Sequence, residues 1–193
     1  DEPLAVDDRG ELDRPGRDIH EAFAEALRSD PLNGEVQAEF EQTVDMYGYH
    51  EAGVGLLEEL LDTVDDPIRR EEIALLAGDW ALKMLEQPER ASRHFEAVLD
   101  DEPRHEEALS GLESCLRQTG ESERLREVLA RQVDLGHEPD EQRDLLVELS
   151  RLRREAEDID GAIEAAERAR GLDGQHIETL EYLAELLAES ERR

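Results

Sequence analysis

The chain has 193 residues, 53 acidic and 22 basic, with a formal net charge of −31 and only 4% aromatics. That charge repels nucleic-acid phosphates and anionic membrane surfaces, which disfavours both as partners, and no apolar run approaches the roughly 20 residues of a spanning helix. Cys115 is the single cysteine, so an intrachain disulfide and a cysteine-paired zinc site are excluded.

Residues 1–17 carry Pro3, Gly10, Pro15 and Gly16 among many charges and read as a flexible acidic leader. Residues 18–193 read as one helical repeat domain. Asp18 offers a cap for a first helix running to about Ser29, with Pro31 in the turn that follows. Paired helices are predicted at 34–47 and 50–63, 67–86 and 88–100, 104–118 and 121–134, and 139–156 and 159–171. A last helix at 175–190 starts a unit that is not finished. Pro67, Pro88 and Pro139 suit first-turn positions, where a missing N–H costs nothing. Gly48, Gly120 and Gly171 suit the left-handed residue that ends a helix, and Pro103 sits in a turn between hairpins. Connections this short make neighbouring helices antiparallel partners. No stretch shows the strict alternation of a strand, so the expectation is all helix.

The elements also repeat. Phe23 lies eight residues before Pro31, Phe95 eight before Pro103, and Ala166 eight before Gly174. Gly48 and Gly120 are 72 residues apart, as are Leu57 and Leu129, and Pro67 and Pro139. Several independent markers thus agree on one period, and each period divides into a shorter and a longer helical hairpin. The spacing of about 34 residues and the closing proline resemble the tetratricopeptide repeat. The likeness is carried by Gly78, Ala91, Phe95, Val98 and Pro103, then by Leu109, Leu112, Leu116, Gly120, Leu125 and Leu129. Ala162, Ala166, Ala169, Gly174, Leu180, Leu183, Ala184 and Leu187 continue it, over roughly residues 18–190. The family favours a small residue where the two helices of a hairpin touch. Gly78, Ser150 and Ala184 fit, whereas Glu41 and Glu113 stand there in the short hairpins. The resemblance therefore implies a degenerate, right-handed α-solenoid of stacked antiparallel hairpins. It has about four full hairpins, half-units at both ends, and short hairpins packed more loosely than the rest.

Chemistry is hard to find. There is no His-Glu-x-x-His, no phosphate loop and no serine-nucleophile motif; the "GVGLL" at 53–57 falls inside a predicted helix. His105 and His176 occupy equivalent turn positions, where helix capping is expected rather than metal binding. Cys115 falls on an apolar helical stripe and reads as core, and Trp80 is expected to pack inward rather than to anchor a peptide. No catalysis and no cofactor are expected.

The resemblance implies a different kind of work. Arrays of this family present a groove from the first helix of each hairpin, along which partner proteins or extended peptides lie. Carried over position by position, the groove comprises Glu35, Ala38, Gln42 and Asp45, then Glu72, Leu75, Asp79 and Leu82, then Glu107, Ser110, Ser114 and Arg117, then Asp144, Val147, Arg151 and Arg154, with Glu178, Glu181 and Glu185 on the last helix. It is acidic at both ends with three arginines between, which would select a segment with central acidic and outer basic residues. Local pairing of Arg151 with Glu155 and of Arg154 with Asp158 is the plainer use of those arginines. The expected function is a protein–protein interaction scaffold, and a cytoplasmic location is expected. Two alternatives stay open: an acidic mimic that occupies a basic, nucleic-acid-binding protein, and the regulatory repeat region of a larger protein. The acidity itself suits either salt adaptation or a basic partner.

Overall fold

The computed structural model describes residues 14–30, 33–136 and 138–192. The described chain forms ten helices: α1 (Arg14–Ser29), α2 (Gly34–Tyr47), α3 (His50–Thr63), α4 (Pro67–Lys83), α5 (Pro88–Asp101), α6 (Glu106–Thr119), α7 (Ser122–Val133), α8 (Pro139–Glu155), α9 (Ile159–Leu172) and α10 (Ile177–Ser190). No strand occurs among the described residues, and no helix among them is long and apolar enough to cross a membrane. The helices divide into two compact units, Asp1–Asp101 and Glu102–Arg193.

The helix ends have the causes read from the sequence, with three corrections. Pro67 and Pro139 take first-turn places in α4 and α8, and Asn33 and Asp66, which the sequence reading did not single out, cap α2 and α4 through side-chain oxygens. Gly48 and Gly120 adopt φ of 71° and 75° and close α2 and α6. His105 and His176 do cap α6 and α10, each Nδ1 accepting from a backbone N–H three residues on. Gly171, however, is helical, and α9 runs through Leu172 to an extended Asp173. Helix α1 begins at Arg14, so Asp18 lies inside it rather than at its cap. Of the expected leader, residues 1–13 lie outside the described residues and 14–17 belong to α1; Pro31 is also outside them. Helix α4 ends at Lys83, three residues sooner than expected, because the chain turns through Glu86 at φ 54°. Glu157 does the same after α8 at φ 63°. The two glutamates are 71 residues apart, at equal places in the repeat.

In the first unit, the core joins Phe23 of α1, Phe40 of α2 and Trp80 of α4. Ring centroids are 4.7 Å apart for the first pair and 5.2 Å for the second. Trp80 is 1% exposed and belongs to this core, as expected. Gly53 of α3 brings bare backbone to the cluster; a Cβ there would sit 3.2 Å from Val44 and 3.6 Å from Phe40 and Trp80. Helices α4 and α5 close tightly because Gly78 faces the Phe95 ring, which a Cβ at Gly78 would approach to 2.8 Å.

In the second unit, α8 and α9 make the tightest hairpin. Leu146 packs with Ala165 and Ala169, and the buried Ser150 hydroxyl donates to the Ala162 carbonyl at 2.6 Å. Leu183 and Leu186 of α10 pack in turn on Ala162 and Ala166 of α9. Helices α6 and α7 approach less closely than α8 and α9, as Glu113 in the small-residue place implies. Glu113 there accepts a hydrogen bond from the buried Gln132 at 2.8 Å, so a polar pair fills the crossing. Cys115 is fully buried in α6, in the core as its stripe predicts.

Candidate protein-interaction groove

The two units place the candidate residues separately. In the first, Gln42 is exposed on α2, and the side chain of Asp45 lies outside the described residues. Leu75, Asp79 and Leu82 share one half-buried face of α4, where Asp79 pairs with Lys83 at 2.6 Å. In the second, Ser110, Ser114 and Arg117 occupy α6, Val147, Arg151 and Arg154 occupy α8, and α10 lies beyond them. The spacing of three and four residues keeps each set on one helical face.

Between α8 and α10 lies a groove of about 590 Å³, lined by Asp144, Val147, Glu148, Arg151, Leu152, Glu155, His176, Glu178 and Thr179. Four of the expected residues, Asp144, Val147, Arg151 and Glu178, line it. Glu148, Leu152 and Glu155 do so too, and the sequence reading missed them. Their signal was present, since residues 144, 148, 151 and 155 trace one stripe of a helix.

Arg117 and Arg154 meet carboxylates of other helices, and Arg154 does so in place of the local Asp158 expected. Arg117 donates to Glu113 one turn back and to both carboxylate oxygens of Glu148 on α8, one of them at 2.7 Å. Its hydrogen bond to Glu148 raises the guanidinium pKa further, against the effect of burial. Arg154 donates to Glu189 of α10 at 2.9 Å and lies 3.8 Å from Glu185. Arg151 and Arg154 both lie over the ring of Tyr182, at 5.7 and 5.9 Å from its centroid, a cation–π geometry. No sequence motif marked Tyr182 as the partner of these arginines. With Arg117 and Arg154 held by glutamates, Arg151 faces a lining that also carries Asp144, Glu148, Glu155 and Glu178.

Ser110 and Ser114 are exposed, and the Ser114 hydroxyl donates back to the Ser110 carbonyl at 3.0 Å within α6. Nothing in this set pairs a nucleophile with a base.

The chain matches no protein-family model and no curated protein. It is similar in structure to several solved forms of MamA, a tetratricopeptide-repeat protein. The MamA AMB-1 structure shares 16% identity, with 91% of this chain and 85% of that one covered and a TM-score of 0.56. A MamA RS-1 double mutant shares 18% identity, with 90% and 86% covered and a TM-score of 0.53. Identity this low establishes fold alone. The chain has an all-α fold of tetratricopeptide-repeat type, as its spacing and small-residue positions lead one to expect.

Proposed function

We infer that the chain is a protein-interaction scaffold without catalysis of its own, and that an extended peptide segment lies along the first helices of its hairpins. The observation that carries this reading is the groove between α8 and α10, whose lining joins the apolar Val147 and Leu152 to charged side chains. Its charges point to a segment whose basic residues meet Asp144, Glu155 and Glu178 while one acidic group meets Arg151. Ser110, Ser114 and Arg117 extend the same surface on α6, and Arg154 borders it. Gln42, Asp45, Leu75, Asp79 and Leu82 are the counterparts proposed for the first unit.

An array of immobilised peptides of varied charge pattern, probed with the full chain, tests this. Basic segments carrying one acidic residue should be retained, and Arg151→Glu or Asp144→Lys should weaken them at least tenfold. Equal retention by both variants would remove the groove from the account. The charge of −31 favours a second reading, an acidic surface that mimics nucleic acid. Binding of that kind collapses as salt rises, whereas binding anchored on Val147 and Leu152 persists.

A further inference from the structure

Arg151 lines the groove, is exposed, and makes no hydrogen bond or ion pair among the described residues. In a lining this acidic, that state needs a cause. Three carboxylates of α8 share its stripe. Glu148, one turn back, has both oxygens on Arg117. Asp144, two turns back, is engaged by Arg143 at 2.8 Å. Glu155, one turn on, pairs with nothing among the described residues. Its order relative to Arg151 is the weaker one, because an acid four residues before a base pairs better than the reverse. The guanidinium goes instead to α10, with its Cζ over the Tyr182 ring at 5.7 Å from the centroid.

This contact is an addition to the repeat rather than part of it. Helices α8 and α10 repeat α4 and α6, Pro139 following Pro67 by 72 residues and His176 following His105 by 71. At the second offset, the buried Leu183 and Leu186 correspond to Leu112 and Cys115, which are buried too. Positions that hold the fold thus keep their burial from one repeat to the next. Arg151 and Tyr182 correspond to Asp79 and Gly111, which can make no such contact. The Tyr182 hydroxyl is buried without a hydrogen-bond partner, so the residue contributes its ring and not its oxygen.

A guanidinium stacked on a ring keeps the N–H groups at its edge available, whereas one paired with a carboxylate has two of them occupied. We propose that Tyr182 is a positioning residue of the groove: it holds the Arg151 guanidinium away from Glu155, leaves the N–H fork open to a bound segment, and so makes the groove prefer a side-chain carboxylate at that place. The preference presupposes the peptide-binding groove inferred from the α8–α10 lining, and it names the residue that sets the choice of an acid there. A phosphate fits less well, because Asp144, Glu148, Glu155 and Glu178 repel its second charge. Arg154 does not take the same part, although it lies 5.9 Å from the ring centroid, because Glu189 occupies it at 2.9 Å.

The test measures, with the full chain, the affinities of two labelled peptides with blocked ends. One is Lys-Arg-Leu-Glu-Leu-Arg-Lys, and the other has glutamine at the centre. The unaltered chain should bind the glutamate form at least fivefold more tightly, and Tyr182→Phe should do the same, since the ring remains. Tyr182→Leu stays apolar where Tyr182 packs on the core of α9 and α10, and should keep its helical circular dichroism. It should bind the two peptides equally. Adding Glu155→Gln to Tyr182→Leu should restore the preference, because the competing carboxylate is gone. A general loosening of the helix would weaken both peptides alike, and Glu155→Gln would not repair it. Tyr182→Leu with its preference intact, or the double variant without it, overturns the proposal and leaves the groove standing. Binding of neither peptide by the unaltered chain overturns the groove and the role of Tyr182 together.

Discussion

At the scale of single residues, this fold depends on what is missing at a few helix crossings. Gly78 is helical and gains nothing from its conformational freedom; its use is the space its absent Cβ leaves for Phe95. Alanine is the better helix former by about 1 kcal/mol, which opposes the clash. The clash should win, because the atoms at 2.8 Å belong to a ring that is itself buried and has little room to move. Gly78→Ala is therefore expected to destabilise the chain by about 1–3 kcal/mol in urea unfolding. Shortening the ring in a Gly78→Ala, Phe95→Leu double variant should recover part of that loss. Additive losses would mean that the two residues do not meet as described. Gly48 differs in kind: open space surrounds it, and its φ of 71° is what a side chain would strain.

At the scale of elements, most of what the sequence shows is punctuation. Proline at 67, 88 and 139 and glycine at 48 and 120 mark where helices start and stop because each changes the backbone's own options. The turns at Glu86 and Glu157 escaped notice because nothing in a glutamate announces a positive φ. Gly171 misled for the converse reason: it is exposed with open space around it, and α9 runs through it because the buried Ala165, Ala166 and Ala169 just before it hold the helix. The groove was legible as a stripe on α8, while the partners of its arginines were not. Spacing along one helix reveals neighbours one turn away, whereas Glu148, Tyr182 and Glu189 reach those arginines from other hairpins.

Such a link also joins the second helices of the first unit. Arg90 of α5 donates to Glu58 of α3 through two nitrogens, at 2.8 and 2.7 Å, and to Glu51 at 2.6 Å. The Arg90 hydrogen bond holds the Glu58 carboxyl below its ordinary range. His94, 3.1 Å from Glu58, is pushed down by burial, which outweighs the attraction of that carboxylate. Both folded-state values lie below the unfolded ones. Each group's contribution to stability is therefore complete above its ordinary pKa, about 6.5 for histidine and 4.3 for glutamate, and is lost as pH falls through the folded value. The melting temperature of the unaltered chain minus that of His94→Gln should accordingly shrink between pH 7 and pH 5. Taking the difference cancels the many other carboxylates, and a difference that stays constant with pH would show that His94 carries no such linkage.

At the scale of the whole molecule, the question is whether 53 acidic groups on 193 residues help or hinder folding. The ion pairs described are mostly at the surface, and such pairs contribute about 0–1 kcal/mol each. Screening weakens them, which would lower stability as salt is added. Repulsion among the uncompensated carboxylates is longer in range, because the Debye length is about 30 Å at 0.01 M and about 10 Å at 0.1 M. At low salt each carboxylate therefore feels many others, while each ion pair feels chiefly itself. Repulsion should dominate, and the melting temperature should rise by several degrees between 10 mM and 500 mM sodium chloride. Tetramethylammonium chloride should give the same rise up to that point, since screening depends on charge and not on the identity of the cation. A flat or falling curve would mean that the cross-hairpin pairs of Arg90, Arg117 and Arg154 outweigh the net charge. Continued stabilisation into the molar range by potassium chloride, but not by the tetramethylammonium salt, would mark the acidic surface as salt-adapted, whereas a plateau near 0.5 M would leave a basic partner as the reason for the charge.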